Sequence, residues 1–128
     1  MDVCAAVTAT DAWVRGTVPA QQSTGAFVTL KSSESVKVIK VQSPAAKSVG
    51  IHATESHGGV MQMHAVDSLA LPAGKAVELK PGGYHVMLEG LARPLVAGDK
   101  VPLTFTIEDP RGKRTQVEVQ AEVRPLGQ

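Results

Sequence analysis

Leu103-Thr104-Phe105-Thr106-Ile107-Glu108, the turn Asp109-Pro110-Arg111-Gly112, and then Val117-Glu118-Val119-Gln120-Ala121-Glu122-Val123 decide the fold of this chain. Apolar and polar residues alternate through both runs. Successive side chains on a strand point to opposite faces, so this period of two gives one buried face and one wet face. The Asp-Pro-Arg-Gly tetrad between the runs is a strong turn signal, and the basic residues Arg111, Lys113 and Arg114 read as a solvated hairpin.

The same pattern extends upstream. Ala26-Phe27-Val28-Thr29-Leu30 is rich in β-formers and bounded by Gly25 and Ser32-Ser33. Val36-Lys37-Val38-Ile39-Lys40-Val41 alternates with one slip, which fits a β-bulge. Val49 and Ile51 alternate with Gly50 and His52. Turn signals recur at Ser43-Pro44, His57-Gly58-Gly59, Pro72-Ala73-Gly74, Pro81-Gly82-Gly83 and Ala97-Gly98-Asp99. The pattern predicts an all-β domain of seven to nine short strands, arranged as a Greek-key sandwich or small barrel. Ser43 to Lys47 is the one segment able to hold a helical turn, and no repeat, linker or low-complexity tract interrupts the chain.

With 128 residues, the chain is expected to form a single domain over residues 1–128, large enough for a core without metal or disulfide support. Trp13, Phe27, Tyr84 and Phe105 are its only aromatic residues, so the core must be built from Val, Leu, Ile and Ala. Thirteen basic and twelve acidic residues are interspersed to a net charge of +1, which leaves no basic stripe for nucleic acid or a membrane surface. No apolar run approaches the roughly 18 residues of a membrane span, so membrane insertion is not expected. Met1-Asp2-Val3 lacks both the basic and the apolar region of a secretory signal, and the start reads as that of a trimmed chain. Cys4 is the only cysteine, which excludes an internal disulfide, a CxxC redox pair and a thiolate zinc site. It reads as a small residue near a terminus, with a lipid-modified or partner-linked thiol as the alternative.

Chemistry concentrates between positions 52 and 87. All four histidines and the three internal methionines fall there, and His52, Met63, His85 and Met87 read as H-x10-M-x21-H-x-M. Two imidazoles and two thioethers form a neutral, soft donor set that suits one Cu(I) ion better than zinc, magnesium or calcium. On a strand through Gly83-Tyr84-His85-Val86-Met87-Leu88, residues two apart share a face about 6.5–7 Å apart. Tyr84, Val86 and Leu88 are then expected in the core, with His85 and Met87 together on the outer face. His52 takes the outer face of its own strand. Met61 shares a face with Met63 and is a candidate second-layer or alternate donor, His64 falls on the opposite face, and His57 reads as a turn residue. Taken singly, each Met also reads as core filler and each surface His as a solvated side chain. Soft donors without charge favour Cu(I), because bound Cu(II) would keep a poorly compensated double charge.

These residues resemble the PCu(A)C family of periplasmic copper chaperones, whose pattern H-(M)-x10-M-x21-H-x-M is matched with both gaps intact. The surrounding text is similar too: Gly59-Val60-Met61-Gln62-Met63, Leu71-Pro72-Ala73-Gly74, and Val77-Glu78-Leu79-Lys80-Pro81-Gly82-Gly83-Tyr84-His85-Val86-Met87-Leu88 with Gly90-Leu91. Asp11-Ala12-Trp13-Val14-Arg15 and Thr24-Gly25-Ala26-Phe27 look like the family's first strands. The resemblance covers roughly residues 9–123. Ala53 stands where the optional Met often follows the first His, and Pro125-Leu126-Gly127-Gln128 is not the His- and Met-rich tail that some members carry.

The resemblance implies a cupredoxin-like β-barrel with a solvent-exposed Cu(I) site. It also implies a periplasmic location and delivery of copper towards the CuA centre of a haem-copper (cytochrome c) oxidase. The partner is then an oxidase subunit or another copper chaperone, and the chain is expected to act as a monomer. A copper-sequestering or storage protein, or an accessory to thiol-disulfide reduction at the oxidase copper site, is the alternative. An electron-transfer cupredoxin is disfavoured because blue-copper sites need a thiolate beside two imidazoles. The carboxylates Glu55, Asp67, Glu78 and Glu89 are scattered and no nucleophile has a nearby base, so no enzyme is expected. Among imidazole and thioether donors only imidazole titrates near neutrality, so Cu(I) affinity is expected to fall below about pH 6. A steep loss already between pH 8 and 7, measured by chelator competition, would contradict this donor set.

Overall fold

The computed structural model describes residues 7–18 and 20–125, without the side chains of residues 55–57 and 61. Cys4, Pro19 and the last three residues therefore lie outside the described residues. Ten strands follow one another: β1 (Val7–Arg15), β2 (Ser23–Ser32), β3 (Val36–Gln42), β4 (Ala46–His57), β5 (Val60–Val66), β6 (Leu69–Leu71), β7 (Ala76–Leu79), β8 (Tyr84–Leu91), β9 (Lys100–Glu108) and β10 (Arg114–Arg124). They form one sheet in the order β5-β4-β8-β2-β1-β10-β9-β3-β6, with β7 paired to β2. The sheet curls until β3 comes against β4 and β6 against β2, a nearly closed, cupredoxin-like barrel without a helix among the described residues. The count exceeds the expected seven to nine because β6 and β7, three and four residues long, are too short to display a period. Ser43 to Lys47 holds only a turn before β4 begins at Ala46.

Alternation produces the core as expected. Val101, Leu103, Phe105 and Ile107 of β9 and Ala121 and Val123 of β10 are buried, and they meet Val28, Leu30, Val38, Leu71, Leu79, Val86 and Leu88. The slip in β3 is a real irregularity: the register against β9 shifts between Val38 and Lys40, which keeps Val36, Val38 and Val41 all buried. The β9–β10 hairpin carries its basic residues in solvent, with Arg114 on Glu108 at 3.1 Å and Arg111 on Asp109 at 3.4 Å. The backbone N–H groups of Lys113 and Arg111 hold the Asp109 carboxyl below its ordinary range.

A second irregularity matters more for the outer surface. The β1–β2 register shifts between Thr10 and Trp13, beside Asp11 at φ 55°, the left-handed region that Asp tolerates better than most residues. Thr10 pairs with Thr29 and Trp13 with Phe27. The extra residue turns Val14 inward and brings Trp13 and Arg15 onto the outer face.

Phe105 is the one aromatic ring in the central apolar cluster, so its truncation leaves the largest void. Phe105→Ala is expected to cost about 3–5 kcal/mol, a Tm lowered by roughly 10–20 °C in a thermal melt. A shift of only a degree or two would place the centre of the core elsewhere.

Candidate metal centre

The candidate donors expected from the sequence share the outer face of β5, β4 and β8. His52 and His85 are direct Cα partners in the β4–β8 ladder, with ring centroids 6.1 Å apart. Met87, two residues along β8, pairs with Gly50 on one side and Gly25 on the other. Met63 pairs with Thr54 of β4, which stands between it and β8. The thioether reaches over this short side chain, and Met63 Sδ lies 3.2 Å from His85 Nε2. With metal–nitrogen and metal–sulfur bonds of about 2.0 and 2.3 Å, two donors on one tetrahedral ion lie roughly 3.5 Å apart. The Met63–His85 pair already has that spacing.

His85 is oriented from within its own turn. Lys80-Pro81-Gly82-Gly83 closes with a 3.0 Å bond from Gly83 N–H to the Lys80 carbonyl, and Gly82 takes φ 87°. Pro second and Gly third is the sequence that a type II turn demands. The turn aims the Gly83 carbonyl at His85 Nδ1, 3.1 Å away. A carbonyl oxygen is a far better acceptor than a thioether, so the proton belongs on Nδ1 and the Nε2 lone pair faces the cleft.

Two glycines keep the flanks low. A Cβ on Gly50 would stand 3.8 Å from His52 Nε2, so the His52 imidazole leans over the residue that pairs with Met87. A Cβ on Gly25 would meet the Phe27 ring at 3.1 Å. Arg15, Phe27, Thr54, Met63, His85 and Met87 line a cleft of about 170 Å³, and His52 is not among its walls.

Three expectations need correction. His85 is only 6% exposed although it belongs to the outer face, while Met63 is 53% exposed. Met63 lies against the imidazole and Phe27 faces it, ring centroids 6.4 Å apart, so the sheet's outer surface has a small buried layer of its own. Tyr84, expected in the core, is 44% exposed. It begins β8, next to the Pro81-Gly82-Gly83 turn, where the barrel ends, whereas Val86 and Leu88 of the same parity are fully buried. His64 pairs with Ala53 on the opposite face and is exposed. His57 is not in the turn but ends β4, paired with Val60. Met61 pairs with Ser56, and the question of its joining the site falls on a side chain outside those described.

Spacing singled out the four candidate donors and alternation gave their faces, but neither pointed to Arg15, Gly25, Phe27, Gly50 and Thr54. Arg15 belongs to β1 and Gly25 and Phe27 to β2, while Gly50 and Thr54 flank His52 on β4, and only cross-strand register sets them beside Met63, His85 and Met87. Among the described residues no group of three His, Cys, Asp or Glu is placed to hold a metal ion.

The family model described as "Putative lipoprotein LpqE-like" matches residues 7–123. "Putative lipoprotein Lxx21020" of Leifsonia xyli subsp. xyli is 38% identical over 77% of the chain, which spans 60% of that protein's length. Among solved structures, the Cu(I) form of DR1885 from Deinococcus radiodurans is 34% identical with a TM-score of 0.67, covering 88% of this chain and 74% of that one. The apo PCuAC domain from PmoF1 superposes at a TM-score of 0.75 and 18% identity over 93% of each chain, a likeness of fold alone.

The tautomer is open to direct measurement. Long-range 1H–15N NMR at pH 8 is expected to find His85 protonated at Nδ1; an Nε2–H signal would mean that the Gly83 carbonyl does not orient the ring. The chain belongs to the LpqE-like family and has the fold of the PCuAC domains.

Proposed function

We propose that this chain is an extracytoplasmic copper chaperone that carries one Cu(I) on His52, Met63, His85 and Met87 and releases it to an acceptor protein by ligand exchange. The observation that carries this reading is the 3.2 Å approach of Met63 Sδ to His85 Nε2 across an intervening strand. Neither side chain gains a core position by it, and both donors face a cleft that is open to a partner. Two imidazoles and two thioethers leave a monovalent ion its single charge and satisfy its softness. A relative 34% identical over most of this chain is described in a Cu(I) form, which supports the same cargo here.

The family description as lipoproteins supports a location outside the cytoplasm, and we assign the periplasm. The acceptor we infer is a copper site of a haem-copper oxidase, or a second chaperone on the way to it. The chain works as a carrier and not as an enzyme. A storage role would use the same ligands, but an open cleft with an exposed thioether suits release better than retention. Transfer kinetics to a thiolate-bearing acceptor separate the two roles.

Anaerobic Cu(I) titration against a colorimetric chelator tests the reading. The native chain is expected to hold one tight equivalent. The double variant His85→Ala, Met87→Ala should weaken it by about 100-fold or more, since outer-layer changes alone cost roughly 10–100-fold. Affinity unchanged by the double variant, with its fold verified by circular dichroism, would falsify this site.

A further inference from the structure

Beside the donor cleft, the same sheet face carries two arginines that holding the ion does not require. Arg15 lines the cleft, its guanidinium 5.5 Å from the centre of the Phe27 ring. Arg124 is its Cα partner on β10 and sits 5.0 Å from the centre of the Trp13 ring. The two rings meet at a tilt of 37°, centroids 4.5 Å apart. Like charges directly opposite one another on paired strands oppose pairing. Among the described residues no carboxylate is paired with either guanidinium; Glu122, the register partner of Trp13, is engaged by Lys100 at 3.1 Å. Each cation instead lies within cation–π reach of an aromatic ring on this face.

A positive charge next to a cation-binding cleft works against holding the ion. It works in favour of an anion that comes to remove it. The donor that is both anionic and soft enough to displace a thioether from Cu(I) is a thiolate. Resting on the copper-carrier reading above, we propose that Arg15, backed by Arg124, docks the incoming thiolate of the acceptor, so that copper leaves through this side of the cleft. In the exchange a copper–thiolate bond forms and the bond to a thioether, Met63 or Met87, breaks. Copper remains monovalent and no electron moves. The thiol proton has already passed to solvent, and the departing thioether leaves neutral.

The test compares two small thiols of opposite charge as probes, mercaptoacetate and cysteamine, at matched thiolate concentration. Each is mixed anaerobically with the Cu(I)-loaded full chain, and exchange is followed by the ultraviolet copper–thiolate absorption in stopped flow. The native chain should react about tenfold or more faster with the anionic thiol, because local charge changes association rates by roughly 10 to 10³-fold. Added salt should shrink the preference. Arg15→Ala should remove most of it, and Arg15→Lys, which keeps the charge, should retain a salt-sensitive part. The lysine variant also guards against a folding defect in the alanine one. A loaded native chain without preference, or an Arg15→Ala chain with the native preference, overturns the docking role while leaving the carrier role intact. A native chain that takes up no Cu(I) overturns both.

Discussion

Side chains alternate along an unbulged strand, so a slip of a single residue in the β4–β8 ladder would send His52 into the barrel and expose Ile51 in its place. The pairing of His52 with His85 is therefore the constraint on which the rest of the outer face depends. Burial enforces it: Ile51 and Val86, partners in the next pair, both belong to the apolar cluster, and Val86 is also paired with Ala26 of β2. Fully burying a residue of that size is worth about 1.5–3 kcal/mol, so a slipped register would lose several such terms at once. The core thus sets the geometry of a site that it does not touch.

On the outer face a separate logic applies. A buried neutral imidazole costs free energy unless its polar atoms are satisfied, and His85 satisfies one nitrogen on the Gly83 carbonyl. The other nitrogen faces sulfur, a weak acceptor that competes little for a proton and is polarizable enough to lie against the ring. Phe27 supplies the opposite wall and is itself buried outside the apolar cluster, under Trp13 and Arg15. The bulge at Asp11 makes this possible, because it reverses the parity of β1 after Thr10. A strained turn in one strand therefore decides which residues flank a site two strands away.

Most of the fold was legible because alternation is written locally: Leu103 to Glu108 and Val117 to Val123 each display their own buried face. Even the slip at Ile39 could be read, since a one-residue break in a regular pattern has few causes. The short strands at Leu69 and Ala76 could not be, because three or four residues do not establish a period. The four candidate donors were singled out by their spacing, and the shared face of His85 and Met87 by parity. The burial of His85 was not, because it is Met63, from another strand, and Phe27, from a third, that cover it. Tyr84 failed for the opposite reason: parity gave its face correctly, but parity does not say where a barrel ends.

A carrier has to hold its cargo against loss to solvent and still yield it to a partner, and on the reading proposed here the two demands fall on different residues. His85 is fixed by a carbonyl and two neighbouring side chains and cannot easily leave. Met87 lies between two glycines, with no Cβ beside it on either neighbouring strand, and Met63 is mostly in solvent. Thioethers add no charge to the bond and have several rotatable torsions, so their departure requires neither a proton nor a backbone shift. The cleft therefore has one rigid donor and two loose ones, with a guanidinium beside them. Release then depends less on weakening the whole site than on what enters from the Arg15 side.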